Sequence, residues 1–168
     1  LRDDVFFHQN SVFERRKVVA SDFKYSFERI LDENVASPGS WVFSKVKENG
    51  FVVINEHTFS IELTESFPPF LGILSMKYCS VVPKEAIEYY GDDFRSNPVG
   101  TGPFIFKFWE ESQLLTMIRN PEYYEVDSAG NRLPYLEAIS ITFKKDQNSV
   151  FLDFLKGSYD MLQGIEGS

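Results

Sequence analysis

Only one cysteine, Cys79, and two histidines, His8 and His57, occur in this chain of 168 residues. A lone cysteine excludes an intrachain disulfide. The two histidines stand in unrelated segments, with no cysteine or carboxylate at metal-ligand spacing around either, so there is no zinc signature and no partner set for a Ser-His-Asp arrangement. No apolar run reaches the roughly 18 residues that a membrane-spanning helix needs. Nor is there a basic start followed by an apolar run, so no signal peptide is expected in this stretch, and Leu1-Arg2-Asp3-Asp4-Val5 already reads as structured chain. Basic residues are in deficit, 17 Lys and Arg against 25 Asp and Glu, for a formal net charge of −8. Arg15-Arg16-Lys17 is only a short run. A nucleic-acid partner or an anionic-membrane surface is therefore not expected.

What is present is the composition of a globular chain, 43% apolar and 25% charged, long enough to bury a core. Seventeen phenylalanines imply a core of large side chains, some of which could line a cleft. A short strand is expected at Val5-Phe6-Phe7-His8. A helix follows over 22–31, with Ser21 as N-cap and Phe23, Phe27, Ile30 and Leu31 on one face. Strands at 51–54 and 58–63 form a hairpin across Asn55-Glu56-His57. Pro68-Pro69 opens a short helix over 70–76, and a second helix, 84–90, stops at Gly91. Strands at 104–109, 114–119 and 138–143 follow, then a helix over 148–156 and a last strand, 159–162. Strands and helices mix without a repeated βαβ rhythm, which indicates an α/β (mixed α+β) class with antiparallel strand pairs and flanking helices.

The search for reactive groups yields no catalytic set. Gly100-Thr101-Gly102-Pro103 lacks the spacing and the lysine of a phosphate loop, and Pro103 removes an amide. Asn97, Pro98, Gly100, Thr101, Gly102 and Pro103 instead read as a rigid structural turn in which Gly100 or Gly102 takes a positive φ. Glu110-Glu111 and Asp92-Asp93 lie in polar connections, and adjacent carboxylates rarely converge on one substrate. Cys79 has no base beside it. No enzyme activity, cofactor or metal site is expected.

Six segments, in order along the chain, resemble the bacterial extracellular solute-binding proteins of family 5, the oligopeptide, dipeptide and nickel receptors of ABC importers. They are Leu1 to His8; Val19-Ala20-Ser21-Asp22-Phe23-Lys24-Tyr25-Ser26-Phe27-Glu28-Arg29; Val82-Pro83-Lys84-Glu85-Ala86-Ile87; Asn97-Pro98-Val99-Gly100-Thr101-Gly102-Pro103-Phe104; Arg119-Asn120-Pro121-Glu122-Tyr123-Tyr124; and Leu155-Lys156-Gly157-Ser158-Tyr159-Asp160. The chain departs from the family pattern at Gln9-Asn10, where Asp-Gly is usual, and at Tyr124, where Trp is usual.

The resemblance implies an internal fragment of a type II periplasmic-binding-protein fold. Residues 1–82 would be part of the family's extra subdomain and 83–168 part of the first ligand-binding lobe. It implies an extracytoplasmic substrate-binding component of an ABC importer, periplasmic or on the cell surface. That component would capture a peptide or other small solute and hand it to the permease subunits. A monomer is expected, attached to a membrane only through a lipid anchor that these residues lack. A peptide-sensing protein on the same scaffold is the alternative, and an oligosaccharide receptor a weaker one. The segment after the Gly157-Ser158-Tyr159-Asp160 motif reaches the cleft in related peptide binders, so Leu162, Gln163 and Gly164, continuing into Ile165, are the candidate ligand contacts.

Overall fold

The structure, a computed structural model, describes residues 1–164. The first helix, α1 (Ala20–Leu31), buries Ala20, Ser26, Phe27 and Ile30 along one stripe, as the 3.6-residue period requires. It begins one residue before the expected cap. Val19 is the flanking extended residue, and its N–H donates to Asp22 Oδ2 at 2.9 Å. The Asp22 carboxylate thus reaches back to the amide of the residue before the helix, and Ser21, expected as the cap, lies inside the helix. Leu31, expected on the apolar face, is exposed.

Strands β1 (Val46–Asn55) and β2 (Thr58–Leu63) form the expected hairpin, with Phe51 opposite Ile61 and Val53 opposite Phe59. The register shifts between Val46 and Phe51, where Asn49 takes φ 56° and Gly50 leaves no room for a Cβ, which would sit 2.7 Å from the Glu62 carbonyl. This bulge turns Phe51 into the core. Phe27, Phe43, Phe51 and Phe59 meet there, with ring centroids 4.7 Å apart for Phe27–Phe43 and 5.1 Å for Phe43–Phe51. Ile30, Val42, Phe70 and Cys79 complete this first core. The helix expected over 70–76 is shorter, α2 (Phe70–Ile73), and a 3₁₀ turn, Lys77–Cys79, follows it.

A second core joins residues far apart in sequence: Phe7 and Val18 pack with Ala86 of α3 (Lys84–Tyr90) and with Val99. The expected strand at 5–8 is only an extended segment with a single antiparallel bridge, Phe6 to Lys17. Phe23 and Val81 touch both cores and couple them.

Strands β3 (Phe104–Glu110), β4 (Leu114–Arg119) and β5 (Ala138–Thr142) make an antiparallel three-stranded sheet in that order. Phe106, Met117 and Ile139 share one face with Trp109, Leu115 and Ile141, as their register dictates. Neither core includes this face. Helix α4 (Gln147–Leu155) is capped by Asp146, whose carboxylate accepts from Asn148 N–H and Ser149 N–H, and none of its residues is buried. The strand expected at 159–162 does not form. Among the described residues no strand pairs with it, and an extended segment without a hydrogen-bonding neighbour is not a sheet strand.

Candidate ligand face and the loop that supports it

The Gly/Pro-rich loop at 97–103 is held through its carbonyl groups. His8 N–H donates to the Gly100 carbonyl at 2.8 Å. His8 Nε2 lies 2.9 Å from the Gly102 carbonyl oxygen, which only accepts, so the proton of the neutral ring sits on Nε2. Asn120 Nδ2 donates to the same oxygen at 3.1 Å, and Asn120 N–H to the Pro103 carbonyl at 2.9 Å. At the other end, Asn97 closes onto the preceding turn, its Nδ2 donating to the Asp93 carbonyl at 3.0 Å. Val99 between them is buried in the second core. Pro98 and Thr101 lie on the outer part of the loop, exposed and half-buried respectively.

The expected positive φ is absent from both Gly100 and Gly102; among the described residues the left-handed glycines are Gly91, Gly130, Gly157 and Gly164. Carbonyls pinned from two sides hold the loop without the tight reversal that a left-handed residue would make. Burial pushes the His8 ring below its ordinary pKa, and the Gly102 carbonyl opposes this only in part.

The second core is fastened by one guanidinium. Arg16 binds both oxygens of Asp22, Nη1 to Oδ2 at 2.9 Å and Nη2 to Oδ1 at 2.8 Å. The same side chain binds Glu85, Nε to Oε1 at 2.7 Å and Nη2 to Oε2 at 2.8 Å. Asp22 is buried, and Arg16 also lies over the Phe7 ring at 5.0 Å. The pairing raises the Arg16 pKa and lowers that of Glu85. Nothing in the sequence marks Arg16, Asp22 and Glu85 as partners, because 69 residues separate Arg16 from Glu85.

The candidate ligand residues lie elsewhere. Leu162 is half-buried, while Gln163 and Gly164 are exposed, with Gly164 at φ 77°. No hydrogen bond among the described residues joins them to the 97–103 loop. Ile165 falls outside the described residues. Two shallow grooves, about 320 and about 390 Å³, are lined by Tyr25, Glu28 and Arg29 and by Phe6, Arg15 and Tyr124 among others, and neither includes the loop or residues 162–164.

The remaining polar candidates are accounted for singly. His57 is exposed in the β1–β2 turn, and Glu111 pairs with Arg95 at 3.1 Å. The Cys79 thiol donates to the Ile73 carbonyl at 3.6 Å and is pushed up by burial, which keeps it protonated and unreactive. Among the described residues no group of three or more His, Cys, Asp or Glu side chains is placed to hold a metal.

Comparison with known proteins places this arrangement. The family model for bacterial extracellular solute-binding proteins, family 5 Middle, matches residues 1–168. The periplasmic oligopeptide-binding protein OppA of Salmonella typhimurium is 30% identical over 137 residues, covering 71% of this chain and 25% of that protein. The solved structure of MoaA from A. tumefaciens R10, in complex with mannopinic acid, superposes with a TM-score of 0.81 at 29% identity, over 95% of this chain and 30% of that one. The pheromone receptor PrgZ, solved for its mode of peptide binding, gives a TM-score of 0.76 at 26% identity, over 86% of this chain and 31% of that one. The chain thus spans about a quarter to a third of the relatives it matches.

Proposed function

The chain belongs to the bacterial extracellular solute-binding proteins of family 5, and from that premise we propose that the intact protein is the substrate-binding component of an ABC importer. It captures a peptide or another small solute outside the cytoplasmic membrane and delivers it to the permease subunits, acting as a monomeric receptor and not as an enzyme. The observation that carries this reading is the family match along all of residues 1–168.

On this reading residues 1–82 belong to the extra subdomain and 83–168 to the first lobe. Supporting the division, the first core draws its buried residues from Phe27 to Cys79, all on one side of that boundary. The second core and the Arg16–Glu85 pair cross the boundary and tie the two parts together. Leu162, Gln163 and Gly164 are assigned to the ligand face. The exposed amide of Gln163 can donate and accept hydrogen bonds, and Gly164 lets a ligand backbone approach.

A second reading, a peptide-signal sensor, is favoured by the likeness to the pheromone receptor. Mass spectrometry of the solute that co-purifies with the full-length protein tests the first reading. A bound peptide or small solute is expected; a protein that retains none and binds none from an equimolar mixture of di- to pentapeptides overturns peptide capture.

A further inference from the structure

Gly100 and Gly102 have no reason to be glycine within residues 1–164. Neither takes a positive φ. A Cβ at Gly102 would meet no atom within 4 Å, and one at Gly100 would meet only His8 Cε1 at 3.9 Å, an ordinary contact. Gly50 is different, because a Cβ there would lie 2.7 Å from a backbone oxygen. Glycine at 100 and 102 therefore keeps space open that nothing among the described residues fills. A site where another backbone must come close is one of the standard uses of such residues.

The hydrogen-bonding groups point the same way. The Gly100 and Gly102 carbonyls are taken by His8 and Asn120. No acceptor among the described residues meets the N–H of Gly100, Thr101 or Gly102, or the Thr101 hydroxyl, although all three residues are half-buried. The loop thus offers three amides and a hydroxyl, beside the Thr101 carbonyl, which likewise meets no partner among the described residues, on a support that His8 and Asn120 fix. An extended polypeptide, whose carbonyl oxygens accept from amides and whose N–H groups donate to a free carbonyl, is the complement of that pattern.

The surface beside the loop indicates whose polypeptide it is. The loop runs directly into β3, and the β3–β4–β5 sheet carries exposed apolar side chains on both faces. Phe108 and Ile118 lie on one face, and Ile141 lies on the other with Phe143 beyond its end. A sheet left apolar on both sides needs permanent cover, which a solute released in every transport cycle does not give. The relatives supply the length, since this chain spans only 25% of one and 30% of another.

We propose that Gly100-Thr101-Gly102 is a seat for an extended segment of the protein's own longer chain, outside residues 1–168, whose carbonyl oxygens accept from these amides. The seat stands whether or not the captured solute is a peptide.

The test uses the full-length protein without ligand. Hydrogen exchange at the Thr101 and Gly102 amides is slowed at least about a hundredfold relative to an open chain. Gly102→Ala lowers the melting temperature and Gly102→Val lowers it further, while affinity for an equimolar mixture of di- to pentapeptides is unchanged. Gly72→Ala, at a second glycine with no neighbour within 4 Å, does not lower it. Fast exchange at these amides in the ligand-free protein overturns the proposal. So does protection that arises only when peptides are added, since the captured solute is then the occupant. A Gly102→Val protein that melts like the wild type also overturns it. Failure of the wild type to bind any peptide bears on the transport reading alone.

Discussion

His8 donates its ring N–H to the Gly102 carbonyl across 94 residues of sequence, at 2.9 Å. This contact anchors the loop before β3 to the N-terminal segment, and it works in the neutral form of a ring that burial holds below its ordinary pKa.

Stability should therefore fall with acid through His8. The unfolded chain takes up the proton near pH 6.5, while the folded ring resists it until lower pH. The unfolded state binds more protons in that window, so stability rises with pH there and is lost as pH drops from about 7 toward the depressed folded pKa. Thermal melts of wild type and His8→Gln between about pH 7 and 5.5 should show the steeper loss in the wild type. Equal slopes would remove His8 from the pH response.

Arg16 and Glu85 should differ sharply in what they contribute. Arg16→Met leaves the buried Asp22 carboxylate without its bidentate partner and should cost about 3–5 kcal/mol. Glu85 is 41% exposed in its side chain, and Glu85→Ala should cost no more than about 1 kcal/mol. Urea denaturation of both variants checks the ranking, and similar losses would show that Asp22 is sustained by the Val19 N–H alone.

Phe27 lies among Phe43, Phe51 and Phe59. Phe27→Ala should destabilise by about 3–5 kcal/mol through lost packing and the cavity left behind. Leu31, one turn on and 43% exposed, should tolerate Ala within about 0.5 kcal/mol. Chemical denaturation compares the two, and a large loss at Leu31 would mean that the longer protein covers it.

Gln163→Ala in the full-length protein should weaken ligand binding by about 0.5–1.5 kcal/mol, the range for one neutral hydrogen bond. Its exposed side chain predicts an unchanged melting temperature without ligand. Calorimetry against the co-purifying solute reads the first quantity, and unchanged affinity would take Gln163 out of the ligand face.

Local pattern was enough to locate most of the elements. The i, i+4, i+7 spacing of Phe23, Phe27 and Ile30 marks α1. The alternation of Phe59, Ile61 and Leu63 marks β2, and Gly91 marks the end of α3, because a helix period, a strand period and a left-handed residue are each written in a few consecutive residues. The family resemblance was likewise legible in short ordered motifs. Tertiary structure alone decided what happens between distant segments. The Asp22 carboxylate accepts from the Val19 N–H at the helix start and also meets Arg16, and only the fold brings Arg16 to Glu85 as well. Residues 159–162 had a strand's composition but no neighbour to pair with among the described residues. Gly100 and Gly102 looked like positions demanding a left-handed backbone, yet His8 and Asn120 hold their carbonyls without one. A hydrogen bond between residues 94 apart depends on where the whole chain places its two ends, and no local spacing encodes that.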